Sequence, residues 1–151
     1  MNTKKLKNLI TKIFIKKNLS KNHALICSNA IINAELVGAP SHGLSRLKMY
    51  CDRIKKKVIN PKPKIKVKKI SQSISHIDAN NSIGFVAADI GIKLAIKNAK
   101  KTGIGLVGIK KAISNAKNTG IGLVGIKNSG HYGLSGYYAE QAVKKNFKFN
   151  Y

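Results

Sequence analysis

The segment LAIKNAKKTGIGLVGIK, Leu94–Lys110, is followed at once by KAISNAKNTGIGLVGIK, Lys111–Lys127. At an offset of 17 the two copies share 14 of 17 residues, the mark of a recent tandem duplication. Two copies are too few for a solenoid, which needs three or more units to bury its faces. A single fold must therefore place one helix end and one strand twice. Only the second copy runs on into Asn128-Ser129-Gly130-His131, and only the first follows the long helical pattern that starts near Ile83. The second copy is expected to hold the interior position and the first an edge or loosely packed site. Lys110–Thr119 is about long enough for a short crossover helix, which makes two neighbouring parallel strands feasible.

Each copy contains G-x-G-x-x-G, the spacing of a dinucleotide-binding loop. That fingerprint needs the order strand, glycine loop, helix, so that a helix N-terminus faces the pyrophosphate. Here the order reads helix, glycine, strand. The acidic residue expected about 20 positions on is absent after the first copy. After the second it is only Glu140, inside an expected helix. These glycines are read as cap and strand residues, with Gly103 capping the preceding helix.

The chain before the duplication divides at Asn60-Pro61-Lys62-Pro63, where two prolines favour an extended link. Residues 1–59 read as a helical N-terminal unit. Leu6, Leu9, Ile10, Ile13 and Phe14 make one helical face. Ser20 caps a second helix, His23 to about Val37, which Gly38 ends in the left-handed position. Ser41 is expected to cap a third helix carrying Leu44, Leu47, Tyr50 and Cys51 on one face. Residues 60–151 read as a partial mixed α/β domain. It comprises an edge strand over Lys64–Lys68, a short strand over Ser75–Asp78, a turn at Asn80-Asn81, a helix over Ile83–Lys101, the duplicated unit, and a helix from about Ser135. The fold class is α/β, and Asn146–Tyr151 reads as the start of a further strand.

No apolar run approaches the ~20 residues of a membrane-spanning helix, and the basic N-terminus has no secretory cleavage pattern. Cys27 and Cys51 have neither a C-x-x-C spacing nor His partners, so they read as reduced thiols in a cytoplasmic protein without a metal site. The net charge is +24, from 29 basic and 5 acidic residues. One reading is polyanion binding. Yet only Arg46 and Arg53 are arginines, and the lysines are spread over every segment. Arginine is the residue that grips phosphate and guanine by two bonds. Lysine, isoleucine and asparagine share A/T-rich codons, so compositional drift is favoured, with only non-specific attraction to nucleic acid.

Two clusters could carry chemistry. In Ser41-His42-Gly43-Leu44-Ser45-Arg46, a helix starting at Ser41 would put His42 and Arg46 on one face. Arg46 could hold a carboxylate by two hydrogen bonds, and His42 could pass a proton to a keto oxygen. The plainer alternative is a solvent-facing pair on a basic helix. In Asn128–Ala139, His131 follows a strand end among Gly130, Gly133 and Gly136, where the backbone can approach a ligand closely. The alternative there is a glycine-rich turn with a packed histidine. His23 and His76 stand alone and read as structural or exposed.

Taken in order, AELVGAPSHGLSRLKMY (Ala34–Tyr50), INPKPKI (Ile59–Ile65), IDANNSIG (Ile77–Gly84) and GIGLVGIKNSGHYGLSGYYAEQA (Gly120–Ala142) resemble the malate/L-lactate dehydrogenase family. This is the NAD(P)-dependent type unrelated to the Rossmann-fold lactate dehydrogenases, and it includes ureidoglycolate, sulfolactate and 2,3-diketogulonate enzymes. The resemblance implies hydride exchange between NAD or NADP and a 2-hydroxy or 2-oxo acid. His42 would be the proton donor, with Ser41 orienting or relaying, and Arg46 would bind the substrate carboxylate. His131, Tyr132, Gly133, Leu134 and Ser135 would line the cofactor, and His131 would also serve in acid–base chemistry. It implies a homodimer as well. Family members are expected to be roughly twice as long, as a complete two-layer domain requires. The expectation is thus a fragment with little activity of its own. From a different class, the alternative is a non-catalytic basic remnant that binds polyanions.

Overall fold

The computed structural model describes residues 2–71, 73–102, 104–108 and 121–146, with backbone only for 102, 104–108 and 121–123. Among these, α1 spans Thr3–Lys16, α2 Lys21–Leu36, α3 Leu47–Lys55, α4 Gly84–Thr102 and α5 Ser135–Val143. Strands β1 (Lys66–Lys69), β2 (Ile74–Ser82), β3 (Ile104–Gly108) and β4 (Ile121–Ser129) form one mixed sheet in the order β1-β2-β4-β3. The fold is mixed α/β. Gly103, Lys110–Thr119 and Phe147–Tyr151 carry the expected helix cap, crossover and final strand, and all lie outside the described residues.

Local chemistry explains the helical part. Asn2 caps α1 by accepting from the Lys4 N–H, and Ser20 caps α2 by accepting from the His23 N–H. Gly38 ends α2 at φ 75, a left-handed position where a side chain costs energy. Thr11 on α1 donates to Ser28 on α2 at 2.8 Å, and Ser28 donates in turn to the Ala24 carbonyl. This buried polar contact between two apolar faces is therefore satisfied.

Helix α4 organises the rest, because three apolar clusters meet on it. Ile83, Phe85 and Val86 join Ile10, Phe14, Ile31 and Tyr50 from the first three helices. Ala87 and Ala95 lie on Ile77, Val124 and Ile126 of the sheet. Ala88 and Ile92 meet Tyr138 and Ala142 of α5. Burying each large aliphatic side chain contributes about 1.5–3 kcal/mol, and only the face that carries Lys93, Lys97 and Lys100 is left to solvent.

Two expectations require correction. The short strand at Ser75–Asp78 is longer, Ile74–Ser82, and takes in Asn80 and Asn81. Both asparagines do have left-handed φ, 50 and 56, but they form an irregularity in the pairing with β4 and not a chain reversal. No α-helix begins at Ser41: Pro40–His42 and Leu44–Arg46 are separate 3-10 turns, and α3 starts only at Leu47. The break is Gly43, at φ −99 and ψ −131. A helix there would also need the Ser41 hydroxyl as its cap, and that hydroxyl is bonded to His42.

The duplicated unit is resolved by position. Strand β4, the second copy, lies between β2 and β3, while β3, the first copy, lies at the edge. The two pair parallel, Ile104 with Ile121 through Gly108 with Gly125, so each residue faces its own duplicate. Of the two G-x-G-x-x-G spacings, Gly105 and Gly108 fall in β3 and Gly122 and Gly125 in β4, while Gly103 and Gly120 lie outside the described residues.

Candidate active site

His131 lies in the loop between β4 and α5, and His42 in the first 3-10 turn. Their rings stack with centroids 5.9 Å apart and planes 26° apart. Residues far apart in sequence and on different elements thus meet face to face.

The turn that carries His42 is set by hydrogen bonds. The Glu35 carboxylate on α2 accepts from the Leu44 N–H at 2.6 Å. Gly43 sits against that carboxylate so closely that a Cβ would collide with it. Ser45 donates to the Pro40 carbonyl at 2.6 Å, and Arg46 Nε donates to the Ser41 carbonyl at 2.8 Å. Arg46 is exposed, and among the described residues no carboxylate pairs with it, so both terminal nitrogens are free for an anion. Ser41 Oγ lies 3.0 Å from His42 Nδ1, which leaves Nε2 as the ring atom available to a ligand.

The second loop is set by packing. Gly84, at the start of α4, meets the backbone carbonyls of Gly130 and His131 so closely that a Cβ there would overlap them. Gly133 has φ 80, and a Cβ on it would strike the Phe85 ring. Tyr138 donates to the Tyr132 carbonyl at 2.8 Å, and Tyr132 OH lies 3.4 Å from Ser135 Oγ. Leu134 is the extended residue before α5 and makes no side-chain cap.

The tautomer of His131 follows from its neighbours. Nδ1 accepts the Gly133 N–H at 3.2 Å and lies 2.8 Å from Tyr50 OH. A nitrogen that accepts a backbone N–H cannot carry a proton, so Tyr50 donates to it and the proton sits on Nε2. Burial first, then the charges of His42, Arg46 and Arg53, hold the imidazole below its ordinary pKa. His131 is a neutral ring presenting one N–H.

The structure thus brings Ser41, His42, Arg46 and His131 together, with Tyr132, Gly133, Leu134 and Ser135 on the adjoining loop. Tyr50 was read from sequence as a helix-face residue and proves to be the partner of His131. Its ring is wholly buried against Phe85, centroids 4.9 Å apart, and burial raises its pKa. The available signal was its spacing of four from Arg46. Two surface depressions lie elsewhere: one among Lys16, Lys17, Ile54 and Lys57, the other among Ser45, Lys48, Asp52 and Arg53. Neither is lined by His42 or His131. Among the described residues no cluster of His, Cys, Asp or Glu could hold a metal, and no helix is long and apolar enough to cross a membrane.

The family model for malate/L-lactate dehydrogenase matches residues 1–112, so the chain belongs to that family. The malate/(S)-sulfolactate dehydrogenase of Methanothermus fervidus is 36% identical over 140 residues, covering 93% of this chain and 36% of the relative. The ureidoglycolate dehydrogenase (NAD(+)) of Escherichia coli is 27% identical over 94% of this chain and 36% of its own length. Malate dehydrogenase from Pyrococcus horikoshii superposes with a TM-score of 0.82 at 34% identity, over 96% of this chain and 37% of that one. The chain spans little more than a third of these relatives, a smaller share than the half expected from the sequence.

Proposed function

We propose that this chain carries the acid–base and carboxylate-binding part of a 2-hydroxy acid dehydrogenase site, of non-Rossmann type, using NAD or NADP. The observation that supports it most is the stacked His42–His131 pair with an unpaired arginine beside it. Arg46 would take the substrate carboxylate on its free terminal nitrogens by two charge-assisted bonds. His42, protonated on both ring nitrogens, would give its Nε2 proton to the carbonyl oxygen as the oxo acid is reduced, while Nδ1–H donates to Ser41 Oγ. In the reverse direction His42 accepts that proton from the hydroxyl.

The residues present suit a nicotinamide cofactor in one respect. The loop Gly130–Ser135 is largely half-buried and offers His131 Nε2–H and the Ser135 hydroxyl. His131, Tyr132, Gly133, Leu134 and Ser135 would hold it. The nicotinamide supplies or takes up the hydride, and the protein positions the acid and neutralises its charge. Arg46 and Arg53 near a neutral His131 make the locality cationic, which suits an anionic substrate.

Binding is the direct test, because little turnover is expected from this chain by itself. A 2-oxo acid such as oxaloacetate should shift the imidazole NMR signals of His42 and His131, and Arg46→Ala should abolish the response. NADH or NADPH oxidation by a panel of 2-oxo acids is the companion assay, with His42→Ala as control. If the oxo acids shift nothing while polyphosphate perturbs lysines over the whole surface, the basic-remnant reading replaces this one.

A further inference from the structure

The two strand copies raise a question of choice. Beside β2, residues Leu123, Val124, Gly125, Ile126 and Lys127 pair with Ile74 through Asp78. The first copy offers Leu106-Val107-Gly108-Ile109-Lys110, the same five residues. Pairing between the copies is also the same whichever of them is inside, since each residue faces its duplicate. The strands themselves therefore cannot decide which copy lies beside β2. Even the ion pair of Lys127 with Asp78, 3.3 Å, has an equivalent in Lys110.

The copies part company one residue later. Asn128 stands where the first copy has Lys111. Asn128 has φ 53, a left-handed conformation that asparagine adopts more readily than lysine, although Lys57 holds one at φ 59. Its side chain donates to Asp78 Oδ1 at 3.0 Å, a contact a lysine in that turn cannot reproduce in kind. The chain then bends so that Ser129 pairs with Ser82, Gly130 donates to the Ser82 carbonyl, and His131 reaches Tyr50.

We infer that Asn128, bonded to Asp78, is the positioning residue that selects the second copy for the place beside β2 and so delivers His131 to Tyr50 and His42. The competing arrangement has the order β1-β2-β3-β4, with His131 displaced outward by one strand spacing, about 4.8 Å. In that arrangement His131 loses the Tyr50 hydroxyl. The choice is made as the chain folds, because the strands must unpair to exchange. Delivery of His131 by this residue is independent of whether a 2-oxo acid binds there.

Imidazole NMR of the full chain reads the populations directly. The inner arrangement gives a His131 signal with a protonated Nε2 and a depressed pKa; the exchanged one gives a solvated ring. Asn128→Lys should raise the second His131 signal several-fold. Lys111→Asn, which gives the first copy the same flank, should raise it too without touching the site. Deleting Lys111–Lys127 leaves a single copy joined to Asn128, so this variant should show one His131 signal, and adding Asn128→Lys to it should create no second one. A second signal from Asn128→Lys in both backgrounds would make Asn128 an ordinary loop support and overturn the inference. So would a single His131 signal in both full-length variants.

Discussion

The two loops that form the candidate site are held by different means. The turn Pro40–Arg46 is largely exposed, and a mesh of hydrogen bonds fixes it: Glu35 to Leu44, Ser45 to Pro40, Arg46 to Ser41. The loop Gly130–Ser135 is half-buried and is fixed by contact, with Gly84 against its backbone and Phe85 under Gly133. Hydrogen bonds can be remade with water at modest cost, whereas overlap with backbone atoms has no such escape. Apart from Gly43, where a Cβ would have to displace the flexible Glu35 side chain, the first loop should tolerate substitution and the second should not.

The largest effect is therefore expected at Gly84. Gly84→Ala should cost more than about 3 kcal/mol, because its Cβ meets carbonyls that cannot rotate away. Gly133→Ala should cost roughly 2–3 kcal/mol from positive φ and the Phe85 contact together. Thermal or urea unfolding measures both, and near-neutral results would show that the second loop yields as readily as the first. Glu35→Ala tests the other side. It strands the partly buried Leu44 N–H and should cost about 1 kcal/mol. A loss as large as that at Gly84 would abolish the distinction.

The smallest effect concerns the electrostatic link between the loops. The pKa of His131 is lowered by burial and then by His42, Arg46 and Arg53. Arg46→Ala removes a cation from the first loop and should raise the His131 pKa on the second, as imidazole NMR would record. Because the folded pKa lies below the unfolded value of about 6.5, the unfolded chain binds the proton first as pH falls. The contribution is complete above that value and is lost as pH drops towards the folded pKa. His23, also lowered by burial, acts in the same direction. An unchanged His131 titration in Arg46→Ala would show the two loops to be electrostatically separate.

Much of the scaffold was legible because it rests on local rules. Ser20, Gly38 and the apolar spacing of α1, α2 and α4 announce themselves, and the glycine spacing could be rejected from element order alone. The edge placement of the first strand copy followed from which copy is joined to His131. The helix at Ser41 misled, because nothing local says that Glu35, six residues upstream, will hold the turn in a different shape. Tyr50 was legible as an apolar-face residue but not as the partner of His131, which lies 81 residues away. The strand through Asn80 and Asn81 was cut short because asparagine pairs look like turns, and a bulge satisfies the same left-handed preference.

The five carboxylates are all employed. Glu35 holds a turn; Asp52, Asp78, Asp89 and Glu140 each pair with a lysine at 2.7–3.3 Å. Nothing acidic is left to offset the remaining cations of a chain at +24. Like charges at that density push the compact state apart, and at physiological salt they are screened beyond about 8 Å. Salt weakens four mostly exposed pairs, each worth little, and relieves a repulsion shared among many lysines. The second effect is the larger, so the dissolved anions around this protein act as the missing half of its charge, and its stability should rise with ionic strength.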